Sequence, residues 1–147
     1  MKLTVENRHD KYRLTQEKCR KLINYLQEKE DVDIERMAII VSTDEHLNQL
    51  KKEFYNQDVL TDTISFNLNK NIEPVEGEIY LSVDRIKENA HKFDNSFEYE
   101  FTNVLVHSIL HTFGYEDDTQ AKQDQMFKLQ KNYLQDINHD QLINKKN

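Results

Sequence analysis

Met37-Ala38-Ile39-Ile40-Val41-Ser42-Thr43-Asp44-Glu45-His46-Leu47-Asn48-Gln49-Leu50-Lys51-Lys52-Glu53-Phe54-Tyr55 changes its hydrophobic period part-way along. Met37–Val41 is an uninterrupted apolar run rich in β-branched residues, the pattern of a short buried strand. Ser42 then stands three residues before Glu45, a capping-box spacing that opens a helix. That helix runs from about Asp44 to Tyr55, with Leu47, Leu50 and Phe54 at inward spacing. A buried strand feeding an amphipathic helix predicts a sheet covered by helices.

Working outward, Leu3–Val5 reads as a short edge strand. The segment from Leu14 to about Lys29 reads as a helix carrying Leu14, Leu22, Ile23, Tyr25 and Leu26. Thr63–Leu68 alternates apolar and polar residues as a half-buried strand does. Glu76-Gly77 reads as a turn and Glu78–Leu81 as the strand after it. Ser82 and Asp84 open a helix to about Phe93. Asn95, with Glu98 three residues on, caps another from Ser96 to about Phe113, and Gly114 ends it. A last helix spans about Gln120 to Asp136, with Met126, Phe127, Leu129, Tyr133 and Leu134 as its stripe. Residues 138–147 are expected to fray. Strands and helices alternate first and two helices follow, which predicts an α/β (α+β) fold around a small mixed sheet. With only two Gly and one Pro to build a linker, residues 1–147 are expected to form a single domain.

Composition narrows the function. No apolar run approaches the ~20 residues of a membrane helix, and the first residues lack the apolar stretch of a secretion signal. Cys19 is the only cysteine, so no internal disulfide can form; with no export signal, a cytoplasmic location is expected. The net charge of −7 opposes binding to phosphate backbones unless cations gather on one face. Lys18, Arg20 and Lys21, and Lys51 with Lys52, are the candidate basic spots, each equally readable as a solvated helix face.

The chemistry concentrates in His107-Ser108-Ile109-Leu110-His111-Thr112-Phe113-Gly114-Tyr115-Glu116-Asp117-Asp118. Histidines four apart on a helix stand on one face, one turn apart, and can grip one metal ion. After Gly114 the chain turns back with three acids, Glu116, Asp117 and Asp118, any of which can supply a third ligand. Three protein ligands leave a fourth position open, the mark of a catalytic site. Phe97, Phe101, Val104, Leu105, Ile109 and Leu110 make the helix apolar over most of its surface, while Glu100, Asn103, His107 and His111 form one polar stripe. A metal pocket would explain that stripe; the competing explanation is that it faces water. Ser108 follows the first histidine where zinc peptidases carry their glutamate base, so a peptidase lacks its base here.

His107-Ser108-Ile109-Leu110-His111 with Gly114-Tyr115 and a ligand position at 117 resembles the motif of the bacterial YbeY family of rRNA maturation factors. That motif has three histidines, the second four residues after the first and the third six after the second. Thr61-Asp62-Thr63-Ile64-Ser65-Phe66 is similar to the family's Thr-Asp-x-x-Ser-Phe segment, Gly77-Glu78-Ile79 to its Gly-Asp-Ile, and Ser82 and Asp84 follow in order. The resemblance implies an α/β sandwich with about four mixed strands and one zinc ion per chain in a cleft. It implies a metal-dependent endoribonuclease acting on single-stranded RNA, not DNA, in 16S rRNA 3′-end maturation and ribosome quality control, with the small ribosomal subunit as partner and no membrane role.

Carried onto this chain, the ligands are His107, His111 and Asp117, with aspartate in place of the third histidine. A carboxylate is an acceptable zinc ligand, but its charge weakens the ion as a Lewis acid and widens the choice toward manganese or iron. Glu116 or Asp118 would orient a histidine, and Tyr55, Thr61, Asp62 and Ser65 would line the cleft. Tyr55 stands where the family carries an arginine, and Lys51 or Lys52 would have to replace it. Two other functions compete: a non-catalytic ribosome assembly factor with a structural metal, and a metal hydrolase of small substrates, which would need a closed apolar pocket.

Overall fold

The computed structural model describes residues 1–140 and 142–147. The elements run β1 (Lys2–Asn7), β2 (Tyr12–Leu14), α1 (Gln16–Glu30), β3 (Ile34–Ser42), α2 (Asp44–Tyr55), β4 (Thr63–Asn67), β5 (Val75–Ser82), α3 (Val83–Lys92), α4 (Phe97–Thr112), α5 (Gln120–Asp136) and β6 (Ile143–Lys145). Four strands form the main sheet in the order β1-β3-β5-β4. β1, β3 and β5 are parallel and β4 is antiparallel to β5, so the small mixed sheet is as expected. β3 lies inside the sheet, and Met37, Ile39, Ile40 and Val41 are all buried. That is why the run is apolar at successive positions and does not alternate.

Strand alternation divides the sheet into two faces. Ile39, Ile79 and Ser65 share one register line, and Met37, Gly77 and Asn67 another on the same face. This face carries the main core, where α4 contributes Phe101, Leu105 and Ile109. The opposite face presents Ile40, Tyr80 and Ile64, with the buried Leu47 of α2. Gly77 lets α4 approach closely: a Cβ there would stand 2.4 Å from Met37 Sδ and 3.3 Å from Thr112 Cγ2. The N-termini of α2 and α3 are tied together, since the Asp44 carboxylate accepts from Ser82 Oγ at 2.8 Å and Arg85 Nη2 at 2.9 Å.

Several boundaries differ from the sequence reading. Thr43, not Ser42, caps α2 by accepting from the His46 N–H, while the Ser42 hydroxyl meets His46 Nδ1 at 2.6 Å. Ser96, not Asn95, caps α4. Leu14 belongs to β2 and not to α1. The expected turn at Glu76-Gly77 lies inside β5. The reversal comes earlier, where Asn67 and Asn69 accept N–H groups of the loop before Pro74. Phe54 and Phe127, both expected inward, are exposed.

The expectation that 138–147 frays fails for Ile143–Lys145, which pair antiparallel with Tyr12–Leu14, with Leu142 and Ile143 buried. Ile143→Ala should therefore cost about 2–4 kcal/mol in denaturant unfolding. An unpaired tail would leave the midpoint unchanged.

Candidate metal centre

α4 is buried on most of its circumference, from Phe101 to Thr112. Its polar stripe does not face open water. Glu100 accepts from Asn95 Nδ2 at 3.1 Å. Asn103 and His107 are bridged by Gln130 of α5, whose Nε2 donates to Asn103 Oδ1 at 2.9 Å and whose Oε1 lies 2.7 Å from His107 Nδ1. His111 Nδ1 stands 2.8 Å from the Tyr115 carbonyl. A carbonyl can only accept, so His111 carries its proton on Nδ1 and bares the Nε2 lone pair. With the Gln130 amide oriented to donate to Asn103, His107 has the same tautomer. Partners of this kind on the far nitrogen are the usual means of orienting metal-ligating imidazoles.

α4 ends where Gly114 takes a positive φ of 109°, which favours glycine. The turn brings Asp117 back under the helix. His111 Nε2 lies 3.0 Å from His107 Nε2 and 3.2 Å from Asp117 Oδ2, and His107 Nε2 lies 3.5 Å from the same oxygen. Ligands about 2.0–2.2 Å from one tetrahedral ion stand about 3.3–3.6 Å apart. The donor triangle is close to that size, and two imidazole lone pairs facing each other call for a shared cation. The three residues thus fit one divalent ion, with a nitrogen–nitrogen–oxygen donor set suited to zinc. The Asp117 side chain is 45% exposed, so this corner opens to solvent.

The turn itself is anchored from below. The Tyr115 hydroxyl donates to Glu30 Oε1 at 2.5 Å, and the Tyr133 hydroxyl donates to the other oxygen of the same carboxylate. Burial first, and the Glu30 carboxylate second, push the Tyr115 hydroxyl up to about 12, so it stays a donor.

The trio opens onto a cleft of about 650 Å³ that wraps edge strand β4. Its lining brings together Tyr55, Thr61, Asp62 and Ser65, all expected there, with Lys51, Glu116 and the three candidate ligands. Asp118 is not among them: it pairs with Lys122 at 3.2 Å, and Glu116 takes the same ammonium at 2.8 Å. Glu116 or Asp118 was expected to orient a histidine; here both acids pair with Lys122, and the Nδ1 atoms of His107 and His111 meet Gln130 and the Tyr115 carbonyl. The side chain that meets His107 Nδ1 is Gln130, which the spacing of the motif does not point to. Its signal was a polar residue on the buried stripe of α5, four after Met126 and four before Leu134. Ser108 is fully buried against β4, its Oγ 2.7 Å from Thr63 Oγ1, and has no access to the cleft. The Asp62 carboxyl is raised by burial, an effect opposed by the nearby His107 and by backbone N–H groups of Asp62 and Thr63.

The model of the endoribonuclease YbeY family matches residues 4–138. The chain belongs to the YbeY family. It is similar to the endoribonuclease YbeY of Chloroherpeton thalassium, 35% identical over 129 residues that cover 88% of this chain and 91% of the relative. It is 36% identical over 122 residues to that of Thermotoga maritima, covering 82% and 79%. The solution structure of TM1509 from Thermotoga maritima superposes with a TM-score of 0.63 at 29% identity, covering 90% of this chain and 87% of the other.

Two outcomes test this geometry. Gln130→Leu should fold and lower zinc affinity by about 10–100-fold in chelator competition, because His107 loses its fixed tautomer; unchanged affinity would show that Gln130 only packs. Asp62→Asn should raise the melting temperature of the metal-free protein at neutral pH. A carboxyl whose folded pKa is raised favours folding fully below its ordinary 3.8 and loses that contribution as pH rises through the folded value. The gain should thus be absent below about pH 4 and grow with pH.

Proposed function

We propose that this protein is a metal-dependent endoribonuclease that cuts single-stranded RNA, acting in 16S rRNA 3′-end maturation and ribosome quality control on the small ribosomal subunit in the cytoplasm. The observation that carries it is the convergence of His107 Nε2, His111 Nε2 and Asp117 Oδ2 in an open cleft. The names of the relatives as endoribonucleases support it. Among the described residues no helix is long and apolar enough to cross a membrane.

His107, His111 and Asp117 would hold one divalent ion, zinc by donor set. When bound, such an ion supplies Lewis acidity toward a phosphoryl oxygen and lowers the pKa of water. Gln130 and the Tyr115 carbonyl keep both imidazoles aimed. We assign Asp62 as the proton acceptor: it is a cleft carboxylate outside the trio, near His107, and among the described residues it has no ion-pair partner, whereas Glu116 pairs with Lys122. Lys51 supplies positive charge for a phosphate. An open cleft that holds a lysine suits a polymer better than the closed apolar pocket a small-substrate hydrolase would need.

The test is elemental analysis with RNA cleavage on the same samples. Wild type should carry close to one zinc per chain and cleave single-stranded RNA. His111→Ala and Asp117→Ala should stay folded, lose the metal, and lose cleavage by at least about 100-fold. Metal-free variants that melt far below wild type, with no RNA cleavage in either, would instead favour a structural metal in an assembly factor.

A further inference from the structure

We propose that Tyr55 forms a stacking subsite for one unpaired nucleobase, with Lys51 placed for the phosphate beside it; this rests on the RNA-cleaving function proposed above. The two residues are one helical turn apart at the end of α2, and both line the cleft that holds the metal trio. Asn56 adopts the left-handed conformation that stops the helix, and its N–H returns to the Lys51 carbonyl. The turn leaves the Tyr55 side chain at the rim.

The ring is built as a platform. Tyr55 stacks on Phe66 of β4 with an interplanar angle of 14° and centroids 6.4 Å apart. Phe66 in turn meets Tyr80 edge-on at 6.3 Å, and Tyr80 meets His46. This ladder ties an exposed ring to the sheet, so little side-chain entropy remains to be lost when a base binds. Tyr55 is 43% exposed and its neighbour Phe54 61% exposed. Large aromatic surface left open beside a cleft marks a binding site more than a packing fault.

The charge matches the same ligand. Lys51 Nζ lies 4.3 Å from the Tyr55 ring centroid, in cation–π contact. Among the described residues it makes no ion pair, whereas its neighbour Lys52 pairs with Asp58. A flexible ammonium with no carboxylate partner can swing from the ring to a phosphate and yield the ring face to a base. Aromatic faces beside a cation are how proteins hold single strands without reading sequence.

The test uses the zinc-loaded protein and two labelled 2′-O-methyl oligonucleotides of equal length, one with bases and one abasic, read by fluorescence anisotropy. Tyr55→Ala should weaken binding of the base-bearing strand on the order of tenfold and leave the abasic strand unchanged. Tyr55→Phe should bind both like wild type, and Lys51→Ala should weaken both alike. Tyr55→Ala that binds both strands like wild type, or loses both equally, overturns the stacking subsite. It would leave the apolar rim to a protein partner. If RNA cleavage sensitive to His111→Ala persists in that case, the catalytic reading survives and only this inference fails. If wild type neither binds nor cleaves RNA, both fall.

Discussion

Everything at the site depends on how α4 reconciles two demands. Its apolar sides must be buried against the sheet, and its remaining stripe must hold polar groups that would be costly to bury without partners. The reconciliation is geometric. Gly77 removes the side chain that would otherwise stand between β5 and the last turn of α4, so the helix can lie close. Gln130 then spans Asn103 and His107, and the chain after Gly114 returns a carbonyl to His111. Each histidine ends with one nitrogen committed to the scaffold and the other aimed at the cleft. Among the described residues no buried side-chain polar atom lacks a hydrogen-bond partner. The metal trio is the open end of a network that is otherwise satisfied.

The same logic explains what could be read from the residues alone. Met37–Val41 is a strand held between neighbours on both sides, and the alternating Thr63–Asn67 is the edge strand, paired with β5 alone and burying Ile64. The histidine spacing puts two candidate ligands on one face, the Gly114 stop returns three acids toward them, and the family resemblance singles out Asp117 among the three. The misplacements have local causes. Thr43 and Ser96 each stand beside a second capping-type residue, and the backbone chose the one whose oxygen faces the N–H three residues on. Leu14 and Ile143 are separated by nearly the whole chain, so their pairing leaves no periodic trace in either segment. Phe54 keeps helical inward spacing but stands at the end of α2, past the edge of the sheet. Gln130 carries no mark of its role in the sequence, because its partners Asn103 and His107 lie on another helix.

The acidic charge of the chain argued against a nucleic-acid substrate, and the structure shows how the cleft lessens that conflict. Lys122 engages both Glu116 and Asp118, so one ammonium offsets part of the charge of these two of the three acids after Gly114. Asp117, the third, stays with the histidines, where a cation would offset it. Lys51 faces the cleft without an acidic partner among the described residues. Asp62, Glu116 and Asp117 still outnumber Lys51 in the cleft lining, so a cation held by the trio would decide the local balance more than the net charge of the chain does.

By the resemblance of its motifs, the chain departs from the family pattern at two residues, and both departures act in the same electrostatic direction. Asp117 in place of a histidine adds a negative charge, and Tyr55 in place of an arginine removes a positive one. A cleft changed in this way without compensation would hold a phosphate backbone less well. The compensation need not be charge. A tyrosine braced by Phe66 offers a substrate the face of a base instead of a salt bridge to its phosphate, an interaction that does not weaken as salt rises. The carboxylate, for its part, would leave a bound cation less acidic than a third neutral imidazole would, and widens the choice of metal toward manganese or iron. On the proposed reading, the two residues would move the site from recognition by charge toward recognition by an aromatic surface, around a metal that is the milder Lewis acid.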